Sequence, residues 1–543
     1  MKIENRTQAE SHSRKSHLNR LRRGPRNWRQ RLLFSCVGAL LFPTAIRAQD
    51  ARPNILVILT DQQSATDLGA AGNPWVRTPN LDKLAGRGVR FPVAYAANPV
   101  CVPSKFTMQT GHYASEVGVR YNEQKPDKAR NTAFMGKALG WAFRNAGYDP
   151  VFGGKIHLPG CTFGPISQFG YSQLGTSGEV LVNPTAQQAR KVNTPMWDNP
   201  ELLANAGAGF LKHRSPDDKK PFLLFLSFES PIHDVCYFTI NAMQPDSGIA
   251  KHTPHDIIDL QSKMRAIETS EGPEKFFSHP ATNTPGFDPA QYAPPLPANH
   301  APMLHEPQAI RDLIAMRLFR KKARDQWGDN EWREHRWMYV RLTEAQDRAI
   351  GTVLDVLHDS GLEKNTIVVF LSDHGDNDAS HKLEHKSVFY NEASRVPFIF
   401  AGDGLAKGLV NDSPVCLTDF YPTLCDLAGI KPGQQLPGIS LKPQLAGKTP
   451  ETGRKYVFIE NQIGFMVTDG RYKYAWYDNT GNDEMFVDLK NDPHEMVNLM
   501  PEIRKGSSGH ARKYEELKKA LVEHLAQLKR KGVKIDTSVL EHR

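Results

Sequence analysis

Ile55-Leu56-Val57-Ile58-Leu59-Thr60, closed by Asp61-Gln62-Gln63, decides the fold class. An unbroken apolar run of this length reads as a strand buried on both faces, the texture of a parallel sheet covered by helices. Two further runs share it, Pro221 to Phe228 and Thr366 to Ser372. Each gives way to polar residues: Asp61-Gln62, then Pro231-Ile232-His233, then Asp373-His374-Gly375-Asp376. Open α/β sheets place ligands at the C-terminal ends of their strands. The expectation is therefore an α/β protein with a large central, mostly parallel sheet flanked by helices, and a site where those polar ends converge.

Helical segments fill the intervals. Thr78-Pro79-Asn80-Leu81-Asp82-Lys83-Leu84-Ala85 reads as a capped helix, residues 133 to 147 as one amphipathic helix, and Trp332 to Gly361 as a long one. Pro99 to Gly111 reads as a loop delivering Cys101 to a short helix that opens at Pro103 and stops at Gly111. Such a helix start suits an anion, although a buried structural cysteine fits the residues equally well. Lys155 and His157, two apart, would share one side of an extended segment. Beyond Arg454 the pattern turns to short alternating runs with Gly and Asn turns, a small antiparallel sheet, and then a charged helix near 511–529. Prolines thicken between 241 and 334, where long loops are expected.

The formal charge of +9 lies entirely at the start. Residues 1–48 hold 11 Lys/Arg and 2 Asp/Glu; taken from totals of 68 and 59, this leaves 57 of each sign in the body. That balance argues against nucleic acid as a partner. The basic run, the apolar stretch Leu32–Phe42 and the small-residue site ending at Ala48 read as a signal peptide. Export to the periplasm or beyond is expected, without stable membrane insertion, since the apolar stretch is short for a bilayer. Among six cysteines there is no close pair of the zinc-binding kind. A Cys416–Cys425 bridge and two buried thiols remain open alternatives.

Several segments together resemble the sulfatases, a formylglycine-dependent family of the alkaline phosphatase-like superfamily. They are Cys101-Val102-Pro103-Ser104-Lys105 closed by Thr110-Gly111, the Thr78–Ala85 segment, Gly154-Lys155-Ile156-His157-Leu158, the Asp373-His374-Gly375 block with Lys386, Tyr390 and Arg395-Val396-Pro397, and the Met485–Leu499 run. The resemblance extends from residue 53 to about 530 and is weakest between 161 and 330. With the leader at 1–48 set apart as the signal peptide, it implies an N-terminal catalytic domain at 49–445 and a C-terminal α+β subdomain at 446–543. It implies a sulfuric ester hydrolase in which a maturation enzyme oxidises Cys101 to formylglycine, whose hydrated aldehyde attacks sulfur. Ca2+, or Mg2+, is implied at Asp61, Gln62, Asp373 and His374, together with residue 101; three of the first four side chains offer oxygen, which suits a hard cation. Lys105 and Lys155 are implied to position the nucleophile, His233 or Lys386 to protonate the leaving alcohol, and His157 to take the proton that regenerates the aldehyde. The family's arginine is Lys105 here, which keeps the charge and loses the planar fork of donors. Its usual second aspartate is Gln62, which removes one negative charge from the metal site. A sulfated carbohydrate is the expected substrate. The alternatives are a phosphonate monoester or phosphodiester hydrolase of the same superfamily, and a non-catalytic relative in which Lys105 blocks maturation.

Overall fold

Strand Asn54–Thr60 is buried along its whole length and pairs in parallel on both sides, with Phe222–Ser227 and with Thr366–Ser372. A computed structural model describes residues 52–161, 165–229, 232, 235, 288–448, 454–480 and 483–541. The expected leader and His233 lie outside the described residues.

The main sheet has nine strands. In spatial order they are Leu409–Val410, Gly88–Arg90, Phe398–Ala401, Thr366–Ser372, Asn54–Thr60, Phe222–Ser227, Asp149–Gly154, Ser172–Leu174 and Val180–Leu181. The five from Thr366–Ser372 to Ser172–Leu174 are parallel, and Phe398–Ala401 and Val180–Leu181 run antiparallel to their inner neighbours. A mostly parallel sheet is thus what forms, with Phe398–Ala401 and the edge strand Val180–Leu181 as the reversed members.

Alternation along the central strand builds two cores. Ile55, Val57 and Leu59 pack with Phe106, Phe143, Phe420 and Leu424 on one face. Leu56 and Ile58 pack with Leu81, Leu203, Phe210, Ile350 and Val353 on the other. Helices Cys101–Thr110, Leu139–Asn145 and Phe420–Leu427 cover the first face; Pro79–Gly86, Pro200–Lys212 and Asp329–Asp359 cover the second. A third core joins the four-stranded antiparallel meander Val457–Asn461, Gly464–Thr468, Tyr472–Tyr477 and Asp483–Asp488 to helix Ala511–Arg530, through Leu517, Leu521, Leu525 and Leu528.

Two local expectations are corrected, and one open alternative is decided. The single helix over 133–147 is two, Lys128–Met135 and Leu139–Asn145, broken at Gly136-Lys137-Ala138. The short helix expected from Pro103 opens at Cys101 itself, two residues earlier, because Val100 is extended and Ser104 N–H already donates to the Val100 carbonyl. It stops at Gly111 as expected, with φ of 73°, where a Cβ would lie 2.7 Å from Leu436. Cys416 and Cys425 are free thiols, both buried.

The long helix also caps a short one. Thr78 makes no side-chain cap at the start of Pro79–Gly86. Asp347 does so instead, accepting from Leu81 N–H at 2.9 Å and from Asn80 N–H at 3.1 Å. Replacing Asp347 with Ala removes both acceptors and is expected to lower unfolding free energy by about 1–3 kcal/mol. Urea titration checks this, with Asp347→Asn expected to lose less because one acceptor oxygen remains.

Candidate active site

Register assembles the site. Thr60 pairs with Ser372, so the next residues, Asp61 and Asp373, leave the sheet side by side. Ser104 Oγ donates to the Asp373 carbonyl at 2.6 Å and ties helix Cys101–Thr110 to the same strand end. One ligand atom from each of Asp61, Cys101, Asp373 and His374 lies within 4.8 Å of the others, and all four residues are buried.

Each carboxylate divides its oxygens. The Oδ2 atoms face ammonium groups: Lys105 Nζ binds Asp61 Oδ2 at 2.7 Å and also binds Asp373 Oδ2, while Lys155 Nζ reaches Asp61 Oδ2 at 3.0 Å and Glu229 Oε1 at 2.5 Å. The Oδ1 atoms face the thiol and the imidazole. Asp61 Oδ1 is 3.7 Å from Cys101 Sγ and from His374 Nε2, and Asp373 Oδ1 is 3.5 Å from His374 Nε2. His374 Nδ1 lies 3.0 Å from the Gly375 carbonyl. With the proton on Nδ1, Nε2 presents a lone pair to the site, as a metal ligand requires. Two carboxylate oxygens and an imidazole nitrogen turned to one point fit a divalent cation.

Cys101 Sγ sits 2.9 Å from Lys386 Nζ and 3.2 Å from His374 Nε2. Burial and Asp61 push the thiol up, but Lys386, Lys155 and His374 outweigh them and leave it well below the ordinary thiol range. Burial pulls Lys105 and Lys155 down, yet the carboxylates around them raise both, Lys155 strongly. Both lysines are therefore charged at neutral pH. Asp373 is raised by burial and then by Asp61. His157 is lowered, chiefly by burial, while its hydrogen bond with Cys101 acts the other way.

Gln62 is engaged at every polar group. Its backbone N–H donates to Asp373 Oδ1 at 3.2 Å, its carbonyl accepts from Tyr339 at 2.6 Å, Nε2 donates to Asp376 Oδ2 at 2.7 Å, and Oε1 accepts from Lys386 at 3.1 Å. Its backbone is left-handed, with φ of 68°. His157 also has positive φ, 43°, so the segment after strand Asp149–Gly154 is not the extended one expected from its spacing. His157 still hydrogen-bonds with Cys101 and lies against Trp197, whose ring also receives Lys155 Nζ at 5.7 Å.

The loop carrying Lys386 is tightly bent. Asp378, Ala379, His381, Lys382, His385 and Ser387 all have φ between 41° and 81°, a region that costs non-glycine residues about 1–3 kcal/mol each. Its surroundings hold it there. Ser387 N–H donates to the Pro99 carbonyl at 3.2 Å, Asn461 of the small sheet donates to the Ser387 carbonyl at 3.0 Å, and Lys473 donates to the Phe389 carbonyl at 2.8 Å.

Sequence reasoning named Asp376 within a polar strand end without giving it a role, and missed Glu229, Tyr339 and Trp197. Glu229 stands two residues past the end of strand Phe222–Ser227 and was open to the same argument that found Asp61. Tyr339 and Trp197 reach the site from helices whose pattern signals only packing.

The sulfatase family profile matches residues 53–430. The chain belongs to the sulfatase family. The profile of the N-sulphoglucosamine sulphohydrolase C-terminal region matches residues 379–531. Over 478 residues the sulfatase is 30% identical to a Delta 4,5-hexuronate-2-O-sulfatase of Bacteroides thetaiotaomicron, covering 85% of this chain and 87% of that one. A solved 2-O GAG sulfatase shares the fold with a TM-score of 0.66 at 24% identity, over 90% of this chain and 96% of that one. The phosphonate monoester hydrolase of Agrobacterium radiobacter shares it with a TM-score of 0.60 at 19% identity, over 88% and 96%.

Lys105→Met would leave Asp61 and Asp373 facing each other without their common ammonium. The metal-free protein is expected to lose about 3–5 kcal/mol. Added Ca2+ should raise the melting temperature of the variant more than that of the parent, since the cation supplies the missing charge; scanning calorimetry with and without Ca2+ checks this.

Proposed function

We propose that Cys101 is matured to formylglycine and that this sulfatase is exported and cleaves sulfate esters of a sulfated carbohydrate with a divalent cation, Ca2+ or Mg2+, held by Asp61, Gln62, Asp373 and His374. The observation that carries the reading is Cys101 at a helix start, touching Lys386, His374, Asp61 and His157, beside two carboxylates whose outer oxygens are neutralised by lysines. Once installed, the formylglycine supplies an oxygen nucleophile where the thiol stands. The cation supplies positive charge against which a sulfate group is stabilised. Gln62 would join as a ligand through its amide oxygen, which already faces the Lys386 ammonium beside Cys101.

The chain's own groups divide the remaining work. Lys105 and Lys155 hold Asp61 and Asp373 in place and cancel their charge on the outer side. Lys386 Nζ, at the reacting position, donates to an anionic ester oxygen and lowers its repulsion toward the nucleophile. His157 stays neutral at pH 7 because burial lowers its pKa, so its ring can accept a proton. The leaving alcohol needs a proton donor; His233, assigned by resemblance to the family, or Lys386 fills that part. Without a cation the site holds Asp61, Asp373 and Glu229 against Lys105, Lys155 and Lys386, a balance of zero. A dication tips it to two positive charges, suited to a singly charged sulfate ester.

The carbohydrate reading draws on the hexuronate sulfatase relative. The basic and apolar leader supports export. Among the described residues no helix is long and apolar enough to cross a membrane. Maturation requires a formylglycine-generating partner.

Mass spectrometry of the peptide bearing residue 101, after expression with such a maturation enzyme, is expected to show an aldehyde in place of the thiol. An unmodified thiol there would overturn the proposal. Matured enzyme should lose activity with EDTA and regain it with Ca2+. It should prefer an aryl sulfate to an aryl phosphonate monoester; the reverse preference would favour the phosphonate hydrolase reading. The acid limb of kcat/KM should lie below pH 6.5, because a base whose pKa is lowered from 6.5 stays unprotonated until the pH falls further. His157→Gln should cost about 100-fold or more in kcat.

A further inference from the structure

Gln62 stands where the family's usual residue is an aspartate, and an amide raises a problem that a carboxylate does not. Its two ends differ: Oε1 accepts hydrogen bonds, Nε2 donates them, and a half-turn of the side-chain end exchanges the two. One orientation suits this site. Lys386 Nζ, which can only donate, lies 3.1 Å from Gln62 Oε1 and 2.9 Å from Cys101 Sγ. A reversed amide would set its nitrogen against that ammonium and turn its oxygen away from Lys386 and Cys101. Gln62 is 0% exposed, so a neighbouring side chain, and not bulk water, must fix the orientation.

Asp376, equally buried, is that neighbour. Its Oδ2 accepts from Gln62 Nε2 at 2.7 Å. Its Oδ1 accepts from the backbone N–H of Asp378 at 2.7 Å and of His385 at 3.2 Å. Each carboxylate oxygen thus faces donors, and the one turned to Gln62 calls for the amide nitrogen. The carboxylate is itself held still. Asp376 N–H donates to Ser64 Oγ at 3.2 Å, and the chain before it packs so closely that a Cβ at Gly375 would overlap the Glu392 carbonyl oxygen. Gln62 is fixed from its other side, where the Tyr339 hydroxyl donates to its carbonyl at 2.6 Å. Its left-handed backbone, costly for a residue with a Cβ, is kept by these contacts. A glutamine held at its backbone and at both ends of its amide has one aim.

We infer that Asp376 is a positioning residue of the active site: by accepting from Gln62 Nε2 it holds the amide oxygen toward Lys386 and toward the cation, so that Gln62 and Asp376 together do what a carboxylate at residue 62 would do alone. The cation half of this inference rests on the metal reading above; the Lys386 half does not. Asp376 acts through Gln62, as the outer partners of metal ligands do. The two residues are therefore interdependent, and the hydrogen bond between them has a direction that exchange of their side chains can reverse.

A double-mutant cycle tests it. Asp376→Asn keeps the shape, leaves an oxygen on the two backbone N–H groups and puts a donor where Oδ2 was, so the Gln62 amide must turn over and meet Lys386 with its nitrogen. Adding Gln62→Glu gives residue 62 an acceptor at both ends and restores the bond in the opposite direction. The full-length thiol protein, made without a maturation enzyme, is titrated with Ca2+ in a calorimeter. Asp376→Asn should bind Ca2+ about tenfold or more weakly than the parent, and the double variant should recover to within about threefold or better. In metal-free melting each single substitution should lower the melting temperature, Gln62→Glu because two carboxylates then meet, and the double variant should regain most of the loss. An aspartate that only supports the fold would not give back Ca2+ affinity on the second substitution. Unchanged Ca2+ binding in Asp376→Asn, or no recovery in the double variant, would overturn the inference. Should Asp376→Asn not fold, recovery of fold and Ca2+ affinity in the double variant supports it and their absence overturns it. A parent that binds no Ca2+ counts against the metal reading and removes the cation half, while the melting cycle still decides whether Asp376 orients the amide toward Lys386.

Discussion

Two carboxylates that repel each other are held side by side at the end of one strand pair. Parallel register between Asn54–Thr60 and Thr366–Ser372 leaves Asp61 and Asp373 no other place to go. Burial and mutual repulsion would neutralise such a pair, and Asp373 is indeed raised by both. Lys105, one helical turn beyond Cys101, reaches both from the far side. The pairing is therefore a condition on the sheet, on helix Cys101–Thr110 and on the candidate metal site at once. This explains why Ser104 must bind the Asp373 carbonyl: a helix that slid by one residue would carry both Cys101 and Lys105 out of reach.

Lysine in place of the family's arginine fits this geometry. Its task here is to put one compact charge between two carboxylate oxygens, which an ammonium does with three donors on one atom. Lys155 adds a second cation on Asp61 and is itself balanced by Glu229. The cluster is an ion network in which each charge has a partner, a condition for keeping charges buried.

Much of this was legible in the residues. Three apolar runs ending in polar clusters told of a parallel sheet and of the edge at which its ligands gather, and Gly111 marked the helix stop. Family resemblance joined Lys155, His157 and Lys386 to that edge, where residue types alone favoured solvent or core roles. What escaped reading depends on three-dimensional path. Spacing placed Lys155 and His157 on one side of an extended segment, but positive φ at Gly154 and His157 turns the chain there, and no periodicity reports a single left-handed residue. Gly136 broke a helix whose apolar pattern ran on through it. Tyr339 lies in a long helix where an aromatic reads as core, and its hydroxyl contact with Gln62 is set by the angle at which that helix crosses the strand ends.

The left-handed run from Asp378 to Ser387 has a consequence for how the enzyme fails. A segment with six residues in a costly backbone region keeps its shape only while its neighbours hold it; one of them, Asn461, belongs to the C-terminal meander, as does Lys473, which holds Phe389 just beyond the segment. Loosening of that meander would let the segment relax and carry Lys386 away from Cys101 while the nine-stranded sheet stays intact. Catalytic lifetime at high temperature is then expected to follow the small sheet, with heat inactivation preceding global melting.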